Sequence, residues 1–194
     1  MKKISYSLRI GIIGKKEFIE EIFIDSLKIS ALESYISVDK YEFLIVFEEI
    51  PIKIGIYIAE KLEDLIYDFE KIQKLDVIII TLNLYEPASL KAITKDLLKE
   101  FSETFSFQGL SILVGMDHET VFNRSRSKNF KISRYQLEKI TKDLKLIYCF
   151  EIANKNSDIN EIYNTILDDF KIMFQYSSPE LFEHAREYGK KLLS

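Results

Sequence analysis

The stretch Asp76–Leu82 (DVIIITL) is a nearly continuous run of β-branched residues. A strand with no polar face has to be covered on both sides, so the run predicts a parallel sheet with helices above and below it. The segments downstream follow the same pattern. Leu90, Ile93, Leu97, Leu98 and Phe101 recur at helical spacing, Leu110–Gly115 (LSILVG) is a second buried strand, and Tyr135, Leu137, Ile140 and Leu144 mark another helix. Leu146–Ile152 (LIYCFEI) predicts a strand, and Ile159, Ile162, Tyr163, Ile166, Leu167 and Phe170 line a closing helix. Ser178-Pro179-Glu180 has a capping residue followed by proline at the first helical position, so a last helix starts there and ends near Leu193.

Upstream, Leu8–Gly14 (LRIGIIG) is a short apolar run ending at glycine, and Phe18, Ile19, Ile22, Phe23 and Leu27 then return at helical spacing. Tyr41–Phe47 (YEFLIVF), a charged Glu48-Glu49 turn and Ile50–Ile58 (IPIKIGIYI) predict an antiparallel hairpin, which is followed by a charged helical stretch. No internal repeat or low-complexity tract interrupts this order. The expected fold is an α/β three-layer sandwich with a mostly parallel six-stranded sheet, one antiparallel strand at its edge and an extra C-terminal helix. Residues 1–176 form the domain and 177–194 a helical extension. Ligands in such sheets sit beyond the carboxyl ends of the strands, here the loops after Gly14, Ile58, Leu82, Gly115 and Ile152.

Composition narrows the function classes. The 194 residues are 47% hydrophobic and 30% charged, enough apolar material for one core of ordinary size. Six glycines and three prolines argue against disorder and against a fold built from many tight turns. The single Cys149 leaves no internal disulfide or cysteine zinc knuckle, and with only His118 and His184 a histidine-rich metal site is excluded as well. That usage predicts a reducing, cytoplasmic compartment. Arg9 interrupts the apolar start and no small-residue cleavage site follows, no run reaches membrane-spanning length, and neither Lys2 nor the end KKLLS accepts a lipid, so no membrane anchor is expected. The net charge of -4 weighs against nucleic acid.

The order of elements and the residues at several strand ends resemble the Ras-like small GTPases over roughly residues 8 to 174. DVIIITLNLYEPASL resembles the family's fourth strand and the helix start after it. SILVGMDHE resembles the strand entering the guanine-reading loop, FEIANKNSDINEIY the last strand, SAK-type loop and final helix, and LRIGIIG the first strand up to the phosphate loop. The resemblance implies that fold and a nucleotide site. The signatures of that site are altered. A phosphate loop, GxxxxGK[ST], uses glycines so that backbone N–H groups converge on phosphate, a lysine for charge and a hydroxyl for magnesium. Counted from Gly14, the pattern places Ile19, Glu20 and Glu21 at the glycine, lysine and hydroxyl positions, and the helical face already begins at Phe18. Like charges about 4 Å apart repel by roughly 1 kcal/mol in water and about 4 kcal/mol at an effective dielectric near 20, so these carboxylates oppose triphosphate. Glu17, Glu20 and Glu21 instead suit the positive end of their own helix.

The family's DxxG corresponds to Ile56-Tyr57-Ile58-Ala59, with Glu60 at the water-orienting position; neither Asp nor Gly is present. The first switch would lie within Ser30–Lys40, where Ser34 and Ser37 are the only hydroxyls near a magnesium-ligating threonine position. The base-reading NKxD becomes Met116-Asp117-His118-Glu119, which keeps a carboxylate at Glu119, and Lys155 stands at the SAK lysine. Gly14, Lys15, Lys16, Glu119 and Lys155 thus form a vestigial nucleotide site, with no catalytic or metal-ligating residue assigned and no resident cofactor expected. Asp117 and His118 are expected to be solvated loop residues, and Cys149 a core residue.

Two functions follow. One is a pseudo-GTPase that has lost hydrolysis and nucleotide binding and serves as a scaffold or regulatory protein-binding subunit. The other is a divergent switch that holds GTP or GDP with magnesium through Lys15, Lys16, Glu119 and Lys155. A receiver-like domain is disfavoured, since no acidic cluster ends the strands at Gly14 or Leu82. Candidate partner surfaces are Tyr35 and Tyr41 in the switch-like region, the last helix with Leu181, Phe182, Ala185, Tyr188 and Leu192, and the basic stretch Arg124–Arg134 toward an acidic surface.

Overall fold

A computed structural model describes residues 6–37, 40–62, 64, 75–86, 107–117, 131–153 and 155–194. The strands are β1 (Tyr6–Ile13), β2 (Glu33–Ser37), β3 (Lys40–Phe47), β4 (Ile50–Ala59), β5 (Val77–Asn83), β6 (Leu110–Met116) and β7 (Tyr148–Ile152). They form one seven-stranded mixed sheet in the order β2-β3-β4-β1-β5-β6-β7. β1 is parallel to both β4 and β5, and β5, β6 and β7 continue the parallel array. Only β3 runs the other way, antiparallel to β2 and to β4.

Two expectations are corrected here. The sheet has seven strands rather than six, and the reversed strand β3 lies second from the edge instead of at it. The added edge strand β2 falls in the stretch expected to be a switch loop. All five of its residues are exposed. With no buried face to impose apolar alternation, β2 carries no strand signature in the sequence and owes its form to the ladder with β3.

The described helices are α1 (Lys16–Ile19), a π-helical turn (Glu20–Ile24) that leads into α2 (Asp25–Ser30), α3 (Arg134–Asp143), α4 (Lys155–Ser177) and α5 (Pro179–Leu193). Ile22, Phe23 and Ile24 are consecutive and all buried, which one face of a regular helix does not permit. The wider π turn brings the three under the sheet together. α3 starts with a capping box, in which Ser133 and Gln136 satisfy each other's backbone N–H groups. The expected helices after Ile58 and over Leu90–Phe101 lie outside the described residues, the first of them almost entirely.

Alternation along β5 splits the core. Val77 and Ile79 join the cluster under α1, α2, α4 and α5, whereas Ile78, Ile80 and Leu82 join Leu113, Ile132 and Leu137 under α3. Helices therefore cover both faces, as the β-branched run requires. Tyr163 of α4 is buried and donates its hydroxyl to Phe23 O at 3.0 Å, and burial pushes its pKa well above the ordinary tyrosine value. Cys149 is only half-buried on the outer strand β7. Among the described residues no helix is long and apolar enough to cross a membrane.

Candidate functional site

Strand order reverses at β1, which has β4 on one side and β5 on the other, so the crevice beyond its carboxyl end is where a ligand would enter. That end is closed by short contacts. Gly14 donates its N–H to Ala59 O at 2.9 Å, and Thr81 of β5 donates its hydroxyl to Ile13 O at 2.7 Å. Gly14 has φ +153°, and a Cβ there would lie 1.9 Å from Thr81 Oγ1, so only glycine fits. Lys15 is the N-cap, and α1 starts at Lys16, leaving Gly14 and Lys15 as the whole connection.

The side chains of this turn are engaged with one another. Ile19, at the position of the second glycine in a phosphate loop, is wholly buried. Glu20, at the lysine position, accepts a hydrogen bond from the Tyr41 hydroxyl and pairs with Lys16 at 4.0 Å. Lys15 lies 3.9 Å from Glu86 and 5.8 Å from the centroid of the Phe18 ring. A phosphate cradle needs successive free N–H groups turned toward one point. Here the Gly14 N–H is spent on Ala59 O, and the Glu20 carboxylate accepts from the Tyr41 hydroxyl.

A second cluster lies beyond β6 and β7. Asp117 follows β6 and donates its backbone N–H to Ile152 O at 3.0 Å. Its side chain is 6% exposed, and Lys131 Nζ stands 2.9 Å from it and 3.1 Å from Glu151 Oε1. The same ammonium lies 5.9 Å from the Tyr85 ring centroid, and Ile132 N–H donates to Leu84 O at 2.8 Å, which fixes the returning chain against β5. Burial pulls the Lys131 pKa down, but the hydrogen bonds to Asp117 and Glu151 outweigh it and hold the group above its ordinary value.

Asp117 is therefore not the solvated loop residue expected from its neighbours. Sequence reasoning missed the cluster because Lys131 stands fourteen residues further on, within a basic run. Charge at that distance carries no periodic signal.

Of the residues expected to form a nucleotide site, Gly14, Lys15 and Lys16 follow one another at the end of β1. Glu119 lies outside the described residues, as does His118, and Lys155 is placed only as the first residue of α4. The two expected partner tyrosines part company: Tyr41 is in the core, whereas Tyr35 is 59% exposed on β2. Within Arg124–Arg134, residues 124–130 lie outside the described set. Lys131 is committed to Asp117 and Glu151, and Arg134 bonds Glu138 at 2.7 Å and Cys149 O at 3.3 Å. Phe182 and Ala185 of α5 pack into the same core as β4, so the last helix docks on its own domain and keeps Leu181 exposed. Among the described residues no group of three His, Cys, Asp or Glu side chains is placed to hold a metal. No protein-family model matches the chain, and no curated protein matches it.

Proposed function

We propose that the protein has a Ras-like GTPase fold without the nucleotide chemistry, and acts as a pseudo-GTPase scaffold or regulatory subunit that binds other proteins. The observation that carries this reading is the two-residue Gly14–Lys15 turn, with its amide bonded to Ala59 and its inner space taken by Thr81 and Ile19. Strand order supports the fold, since the hairpin β3–β4 flanks β1 on one side while β5, β6 and β7 follow in sequence on the other. With the chemistry gone, the remaining resource is surface: β2 presents Tyr35 and Ile36 to solvent on a sheet edge.

Isothermal titration of nucleotide-stripped protein with GTP and GDP, with and without magnesium, tests the reading, together with chromatography of anything released on denaturation. No heat and no released nucleotide are expected. Micromolar or tighter magnesium-dependent binding, abolished by Lys15→Ala with Lys16→Ala, would overturn it.

A further inference from the structure

β2 ends the sheet, and every one of its residues is exposed, so one side of its backbone faces solvent. Soluble proteins usually protect such an edge with lysine, proline, a bulge or a covering segment. β2 (Glu33-Ser34-Tyr35-Ile36-Ser37) has no lysine or proline, and its register with β3 is continuous over those five residues, Leu32 and Glu33 both meeting Leu44 only where the strand begins. Tyr35 is 59% and Ile36 45% exposed.

We infer that two copies of this chain pair β2 with β2, antiparallel across a two-fold axis at Tyr35, joining their sheets into one. A two-fold antiparallel pair must place one residue opposite itself, and centring it on Tyr35 is the choice that pairs all five residues. Glu33 then faces Ser37 of the other copy, Ser34 faces Ile36, and Tyr35 faces Tyr35.

The side chains suit that register on both faces. Directly paired residues share a face, so Glu33, Tyr35 and Ser37 stand on the side of Leu44, Glu42 and Lys40, and Ser34 and Ile36 on the side of Phe43 and Tyr41. On the first side Glu33 meets the small Ser37 of the second copy, with that copy's Lys40 directly behind it, which sets opposite charges in one row at each end of the ladder. The central row makes an aromatic pair, a favourable cross-strand combination. On the other side each Ile36 covers the small Ser34 beside Phe43. No like charges are placed opposite one another within the five pairs.

A five-residue ladder buries less than a standard interface of about 1,600 Å², so the dimer is weak and concentration-dependent. This inference builds on the reading of β2 as a contact surface. Its readouts are mass and crosslinking, so it and the loss of nucleotide chemistry fail separately.

Sedimentation velocity of the full chain over a wide concentration range tests it. A reversible monomer–dimer equilibrium is expected, weakened about tenfold or more by Tyr35→Lys, which puts two ammonium groups opposite each other. A second experiment works in a Cys149→Ser background and does not depend on that variant. Directly opposed Cβ atoms lie about 4.5–5.5 Å apart, near disulfide reach, so Tyr35→Cys crosslinks to a dimer under mild oxidation. Glu33→Cys does not, because its two copies stand about 13 Å apart along the strands. Protein that stays monomeric at every concentration, or equal crosslinking by both variants, overturns the inference.

Discussion

Thr81 closes the end of β1: its hydroxyl bonds Ile13 O, and its bulk leaves Gly14 no room for a side chain. Lys131 acts similarly beyond β6, where one ammonium serves both Asp117 and Glu151. A third such residue is Glu42 on β3, 3.0 Å from Lys40 and 3.2 Å from Lys53. Partial burial pushes its carboxyl pKa up, but the hydrogen bonds from the two lysines outweigh this and leave it below the ordinary value. The unfolded chain therefore takes up this proton first on acidification. The stabilisation is fully present above the ordinary glutamate pKa of 4.5 and is lost as pH falls through the lower folded value. Glu42→Gln should cost about 1 kcal/mol at pH near 7, and that difference should shrink progressively as pH falls below 4.5, as read by urea unfolding across that range. A cost that does not change with pH would show that packing, not charge, is what Glu42 contributes.

At the scale of elements, the β3–β4 turn sets geometry against charge. Glu48 and Glu49 have φ 44° and 70°, the two positive angles of a type I′ hairpin, which favours Asn-Gly. Left-handed backbone costs roughly 1–2 kcal/mol for an ordinary residue. The glutamates contact the helices there: Lys171 of α4 bonds Glu48, and Arg186 and Lys190 of α5 lie 2.7 Å and 3.6 Å from Glu49. Pairs this exposed are screened by solvent and offset little of that strain. Glu48→Asn with Glu49→Gly should thus stabilise the protein by about 1 kcal/mol, and by more in high salt, where the native pairs are screened. Denaturant midpoints at low and high salt measure it; a destabilised variant would mean that the ion pairs dominate. The hairpin was legible in the sequence because turn and alternation coincide at Tyr41–Ile58. β2 was not, because an exposed strand needs no apolar pattern.

At the scale of the whole molecule, α5 is part of the core. Phe182 stacks edge-on against Phe174 of α4 with ring centroids 5.3 Å apart, and Gly189 passes so close to the hairpin that a Cβ would lie 1.8 Å from Glu49 O. Phe182→Ala should cost about 3 kcal/mol or more and lower the melting temperature in one transition. A negligible change would mean that α5 rests on the domain without stabilising it. The division between what was legible and what was not follows from range. Local patterning determined the α/β class and six of the seven strands, because burial on two faces writes β-branched runs. Tertiary structure alone decided the edge strand β2, the Asp117–Lys131–Glu151 cluster around the buried Asp117 carboxylate and what α5 docks against. Each joins residues far apart in the chain or owes its form to a neighbouring element; β2 and the Asp117 cluster leave no periodic mark on the local sequence, whereas the apolar face of α5 was legible and only what it packs against was not.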